Sequence, residues 1–114
     1  MRESNTPKNE VDWNSKESNQ LLNAFLSIES KDGAKRFLRD LMTKSEIEEF
    51  SRRLEAARLL TRSVQYCEII DKTGLSSTTV ARISKWLKGP LGGYRLVLNS
   101  LHHHNHSKLE KGLS

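Results

Sequence analysis

A chain of 114 residues has room for one domain and excludes a second sizeable core. Its 35% hydrophobic and 29% charged residues give a water-compatible chain short of core, of the kind that a second copy completes. A net charge of +5 with a pI near 9.6 suits a polyanionic partner, and the single Cys67 excludes an internal disulfide and supplies no zinc-ligand pair.

From the start, residues 1–16 are polar and mixed in charge, with only Val11 and Trp13 as larger apolar side chains beyond the first methionine. They show no periodic face and read as a flexible arm, with Trp13 placed to pack on the body or on a partner. No apolar run here or later is long enough for a signal peptide or a membrane span, so a cytoplasmic location without membrane contact is expected. Residues 17–29 form the first predicted helix, with Leu21, Leu22, Phe25, Leu26 and Ile28 on a broad apolar stripe. Residues 30–33 break it. Residues 34–42 form a short second helix, with Phe37, Leu38 and Leu41 on one face and Lys35, Arg36 and Arg39 on the other.

Residues 43–60 carry the clearest helical pattern. Thr43 and Glu46 have the spacing of a capping box, in which hydroxyl and carboxylate each satisfy a free backbone N–H. The apolar positions Ile47, Phe50, Leu54, Ala57 and Leu60 follow as one stripe, and Arg52, Arg53, Arg58 and Arg62 lie where cations complement the helix dipole. A connector follows, in which Ser63 is a candidate cap for the next helix.

Residues 65–88 are the stretch the rest of the chain serves. A helix over 65–73 with Tyr66, Ile69 and Ile70 apolar is closed by Gly74, which takes the left-handed conformation at no steric cost. Leu75 is an apolar plug, and Ser76 or Ser77 can cap the helix that runs to Lys88. Val80, Ile83 and Leu87 give that helix a buried stripe. Its other face, Ser77, Thr78, Ala81, Arg82 and Lys85, is small, hydroxylic or basic. Small residues let a helix sink into a DNA major groove, and Arg and Lys reach guanine edges or phosphates. The pattern is that of a helix-turn-helix.

Charge supports a polyanion partner for it. Residues 1–71 hold twelve Lys or Arg against thirteen Asp or Glu, whereas residues 72–114 hold seven against one. The expected groove-floor residues are Ser76, Ser77, Thr78 and Ala81; Arg82 and Lys85 would contact bases or phosphates, and Lys72 and Lys88 phosphates. Beyond this helix Gly89 and Pro90 end it, Gly92-Gly93 make a corner, and residues 94–101 form a last short helix with Tyr94, Val97, Leu98 and Leu101 apolar.

The remaining residues, 102–114, read as a flexible tail. It holds His102, His103, His104 and His106, which bind transition metals weakly, but no carboxylate or cysteine joins them in a fixed geometry. No metal site or cofactor is expected. Nor is there a Gly-rich phosphate loop, a nucleophile elbow or a paired set of carboxylates in an apolar setting, which argues against an enzyme.

The run from residue 41 to 101 resembles the tryptophan repressor family, and more closely its TrpR-like YerC/YecD branch. The residues that carry this are LMTKSEIEEFSRRLEAARLL (41–60) and the block 74–88, notably Thr43 with Glu46, Arg52-Arg53, Gly74, Thr78-Thr79, Arg82 and Leu87-Lys88. The resemblance implies an all-α bundle, here over residues 17–101, whose two copies interlock into a two-fold dimer and set the second helix of the pair in a DNA operator. It also implies an effector pocket between Arg82 and Arg52 or Arg53. In the tryptophan repressor a glycine directly after the reading-helix arginine leaves space for the indole. Ile83 stands there in this chain, which argues against tryptophan as corepressor, and Glu49 and Glu55 are candidate partners for the arginines.

The sequence thus points to a homodimeric, sequence-specific regulator, with repression by promoter occlusion as its mode. Phe25, Leu26, Phe50, Leu54, Leu98 and Leu101 are the residues expected across the dimer interface. The rival readings are a helix-turn-helix used for protein or RNA contacts, and a small metal-sensing protein built on the histidine tail.

Overall fold

The computed structural model of the protein describes residues 10–113, with side chains as far as His103. Six helices and no strand occur among them: α1 (Lys16–Leu26), α2 (Lys31–Leu41), α3 (Lys44–Thr61), α4 (Tyr66–Thr73), α5 (Ser77–Leu87) and α6 (Gly93–Leu113). The chain divides into two compact units between Met42 and Thr43.

In the first unit each helix starts on a serine cap. The Ser15 hydroxyl accepts from the Ser18 backbone N–H at 3.1 Å, and the Ser18 hydroxyl donates to the Asp12 carbonyl at 2.6 Å. The expected arm therefore joins the start of α1 from Asp12 onward, while residues 1–9 lie outside the described residues. Helix α1 stops at Leu26, short of the predicted residue 29. The Ser27 hydroxyl there donates back to the Ala24 carbonyl at 2.7 Å, a local bond that competes with helix continuation. Ser30 caps α2 by accepting from the Gly33 N–H at 3.0 Å, so residues 31–33 form the first helical turn and not the expected break. Phe25 and Phe37 meet edge to face, with ring centroids 5.6 Å apart. Neither α1 nor α2 holds a buried residue.

The second unit is organised on α3. Its capping box forms as expected, with Glu46 N–H donating to Thr43 Oγ1 at 3.1 Å and Thr43 N–H donating to Glu46 Oε1 at 2.9 Å. The far end of α3 closes through Ser63, which stands in the left-handed region at φ 62°. From there Ser63 N–H bonds the Leu60 carbonyl at 3.0 Å and Val64 N–H the Leu59 carbonyl at 3.2 Å. Ser63 thus terminates α3 and does not cap α4, whose cap position is taken by Gln65 without a side-chain bond.

Ala56, Ala57, Leu59, Ile69, Leu75, Val80 and Ile83 form the buried core, edged by Leu60, Val64, Ile70, Tyr94 and Leu98. Helix α3 packs against α4, α5 and α6. Several neighbours call for burial on more than one side of it, which is why Ala56 and Leu59 are buried although they stand off the predicted stripe. Phe50 and Tyr66, both read as apolar-face residues, are exposed. Helix α6 continues to Leu113, past the expected end at 101, since no proline or early glycine interrupts it after Gly93.

The left-handed serine generates a prediction. A residue with a β-carbon pays about 1–2 kcal/mol in that conformation, partly offset by glycine's greater freedom when unfolded. Ser63→Gly should therefore stabilise the protein by about 0.5–1 kcal/mol, read as a rise in the denaturation midpoint. A fall in the midpoint would contradict this account of the α3 terminus.

Candidate nucleic-acid interface

The corner between α4 and α5 is set by three local devices. Gly74 has φ 75° and donates its N–H to the Ile70 carbonyl at 2.8 Å, closing α4. The buried Thr73 hydroxyl donates to the Ile69 carbonyl at 2.7 Å and accepts from the Leu75 N–H at 3.3 Å, so the turn's polar groups are satisfied inside the fold. Ser76 then caps α5, its hydroxyl accepting from Thr79 N–H at 3.1 Å and lying 3.0 Å from Thr79 Oγ1. Leu75, Val80 and Ile83 are buried and Leu87 half-buried, so α5 is seated by the face that the sequence stripe marked.

With that face fixed, Ser77, Thr78, Ala81, Arg82, Lys85 and Lys88 are all exposed. Thr78, Arg82 and Lys85 lie on the side of α5 opposite Val80, Ile83 and Leu87, with Ser77, Ala81 and Lys88 along its flank. Arg82, Lys85 and Lys88 make no ion pair or side-chain hydrogen bond among the described residues. Two expected contacts are engaged elsewhere. The Ser76 hydroxyl is committed to capping, and Lys72 is paired with Glu68 at 3.1 Å along α4. That pair is solvent-exposed and so is weak and exchangeable.

The residues of the expected effector pocket are placed differently from one another. Ile83 is fully buried in the core, and Arg82 is exposed on α5. Arg52 and Arg53 both reach Glu49, at 3.4 and 3.2 Å, and the Arg53 guanidinium lies 5.5 Å from the centroid of the Phe50 ring. Glu49 therefore serves both arginines as a partner. Glu55, the other candidate, is held instead by a two-pronged bond from Arg58, at 2.8 and 2.7 Å. A groove of about 720 Å³ lies elsewhere, between the C-terminal part of α3 and α6, lined by Arg58, Arg62, Arg95, Leu98 and Leu101 among others.

Sequence reasoning counts Arg95 only in the basic total of residues 72–114 and gives it no role. It donates to the carbonyls of Leu87 and Gly89, the latter at 3.1 Å. Nothing in local spacing marks an arginine that reaches back across a Gly-Pro and a Gly-Gly step. Among the described residues no group of three or more His, Cys, Asp or Glu could hold a metal, and no helix is long and apolar enough to cross a membrane. The side chains of His104 and His106 lie outside the described residues.

The arrangement is that of a helix-turn-helix carried on an all-α bundle. By its sequence the chain belongs to the Trp repressor family, whose model matches residues 16–102. It is 36% identical over 84 residues to the uncharacterized protein YerC of Bacillus subtilis (strain 168), covering 74% of this chain and 81% of that one. The fold is similar to the crystal structure of a TrpR-like protein from Eubacterium eligens, with a TM-score of 0.74 and 33% identity over 79% of this chain and 93% of the other. A candidate Trp repressor from Staphylococcus aureus is similar at a TM-score of 0.69 and 27% identity, over 74% and 84% of the two chains. Family and fold are those of helix-turn-helix DNA-binding regulators, not of enzymes.

The Glu55–Arg58 pair makes a pH prediction. The Arg58 hydrogen bonds, foremost, hold the Glu55 carboxyl below its ordinary 4.5, against the opposing effect of partial burial. A depressed carboxylate contributes stability above its unfolded-state pKa, and that contribution is lost as pH falls through the lowered native value. Glu55→Gln should thus be less stable than the unaltered chain at pH 7, with the gap closing below about pH 4.5. Thermal denaturation of both proteins from pH 7 to pH 3 measures it, and a gap independent of pH would refute it.

Proposed function

We propose that this protein is a sequence-specific DNA-binding repressor that acts as a homodimer and does not take tryptophan as corepressor. The observation that carries the reading is the exposed side of α5. It combines small and hydroxylic residues with Arg82, Lys85 and Lys88, and no acidic group stands on that helix. Ser77, Thr78 and Ala81 would meet the groove floor, Arg82 and Lys85 bases or phosphates, and Lys72 and Lys88 phosphates. Ser76 contributes by capping α5 and through its backbone. Its position at the helix start is suited to a phosphate.

Exposed apolar surface supports the dimer. Phe25, Leu26, Phe50 and Leu101 are respectively 44, 81, 45 and 43% exposed in the single chain, a load that a soluble protein covers with a partner. Dimeric helix-turn-helix proteins place two reading helices one DNA turn apart and occlude the promoter between them. Ile83 supports the absence of a tryptophan response: its side chain is fully buried among core residues, at the position where the family resemblance implies a glycine beside the indole.

Duplexes selected from a random pool by the purified protein should converge on a two-fold symmetric motif, and affinity for it should be unchanged by millimolar tryptophan. No preference among duplexes at physiological salt would overturn the regulator reading, and tryptophan-tightened binding would overturn the reading of Ile83.

Lys72 gives a sharper test. Its partner Glu68 competes with phosphate for the ammonium and also repels the backbone. Glu68→Gln should tighten DNA binding by up to about fivefold at low salt, with the gain fading as salt rises. Unchanged affinity at low salt would remove Lys72 from the interface.

A further inference from the structure

The end of α5 presents carbonyls with no helical partner, and such groups carry the negative end of the helix dipole. Lys88 N–H bonds back to the Ser84 carbonyl at 3.2 Å and Gly89 N–H to the Trp86 carbonyl at 3.1 Å, so the Leu87 carbonyl, and that of Gly89 just beyond the helix, take donors from elsewhere. One Nη atom of Arg95 supplies both bonds. Arg95 stands in the first turn of α6, and that helix is seated on the core by Tyr94 and Leu98. The guanidinium therefore joins the free end of α5 to a helix held in place on its other side.

Gly92 completes the device. It has φ 66°, and a β-carbon there would come within 2.6 Å of Arg95 Nη2. The corner between α5 and α6 thus favours glycine for its backbone conformation, and a β-carbon there would push the guanidinium from its present place.

We propose that Arg95 is a positioning residue for the reading helix: it fixes the C-terminal end of α5 against α6 and so sets the angle at which α5 is presented. This rests on the DNA-binding reading above. If α6 lies in the dimer interface, as exposed Leu101 suits, the relative setting of the two reading helices passes through Arg95. Its effect falls on discrimination between sequences more than on general affinity for DNA, since no base contact is removed by its loss.

The test uses the full chain with Arg95→Ala and Arg95→Lys, and two measurements. Amide hydrogen exchange in the free protein should be faster by about tenfold over residues 85–92 in Arg95→Ala, with partial recovery in Arg95→Lys, whose ammonium keeps the charge without the planar fork. The ratio of affinity for the selected operator to that for random duplex should fall about tenfold in Arg95→Ala, and part of it should return in Arg95→Lys. Unchanged exchange would overturn the tether. Faster exchange with an unchanged ratio would overturn the positioning role. An unaltered protein that itself shows no discrimination would overturn the DNA-binding reading and the positioning role with it, and the exchange data would still judge the tether alone.

Discussion

The contact on which the rest of the second unit depends is the seating of α5 in a core that α3 lines with alanine. Ala56 and Ala57 are both fully buried, and with Leu59 they are the buried residues of α3. Side chains this short let neighbouring backbones approach closely, at interior density and with no slack for an added methylene. Ile69, Val80 and Ile83 supply the bulk from the other side. Once Val80 and Ile83 are committed to that contact, helical geometry leaves no choice about which residues of α5 face outward. The exposed basic and hydroxylic side is thus a consequence of core packing.

Charge is distributed with a corresponding division of labour. On α3 the cations are matched at short range: Lys44 with Glu48, Arg52 and Arg53 with Glu49, Arg58 with Glu55. These are exposed pairs of small energetic worth. Their main effect is to keep the field of the central helix near neutral. Helix α5 carries no such partners, so the unbalanced positive charge of the molecule is concentrated where a polyanion can dock. Lys72 stands between the two regimes, on α4 and paired with Glu68.

What could be read from the sequence follows the range over which each device acts. The capping box of Thr43 and Glu46, the left-handed Gly74 and the stripe of Val80 and Ile83 are each decided within a few residues, and each stands as read. Ser30 reads as part of a break and is a cap, because a glycine three residues later hides a helix start. Ser63 reads as a cap and is a left-handed terminator, since serine does not advertise that conformation as glycine does. Ala56 and Leu59 escaped the stripe because three helices pack around α3 and no single period describes its buried surface. The roles of Arg95 and of Glu55 depend on which side chain reaches which group in three dimensions. Charge counting nominates arginine partners for Glu55 without choosing among them, and it says nothing of the backbone carbonyls that hold Arg95.

The locality of the core has a consequence for the order of assembly. Among the described residues, every buried apolar residue of the second unit lies between Ala56 and Ile83, within three successive helices joined by tight turns. Contacts between residues close in sequence form with little loop-closure cost and give fast folding. The helix-turn-helix is thus expected to condense first, in a step whose rate does not depend on protein concentration. On the proposed dimer, the exposed leucines and phenylalanines find cover when two chains meet, in a later and concentration-dependent step. Refolding followed by helicity at several protein concentrations should separate the two phases, and a single phase that scales with concentration throughout would show that the core cannot form alone.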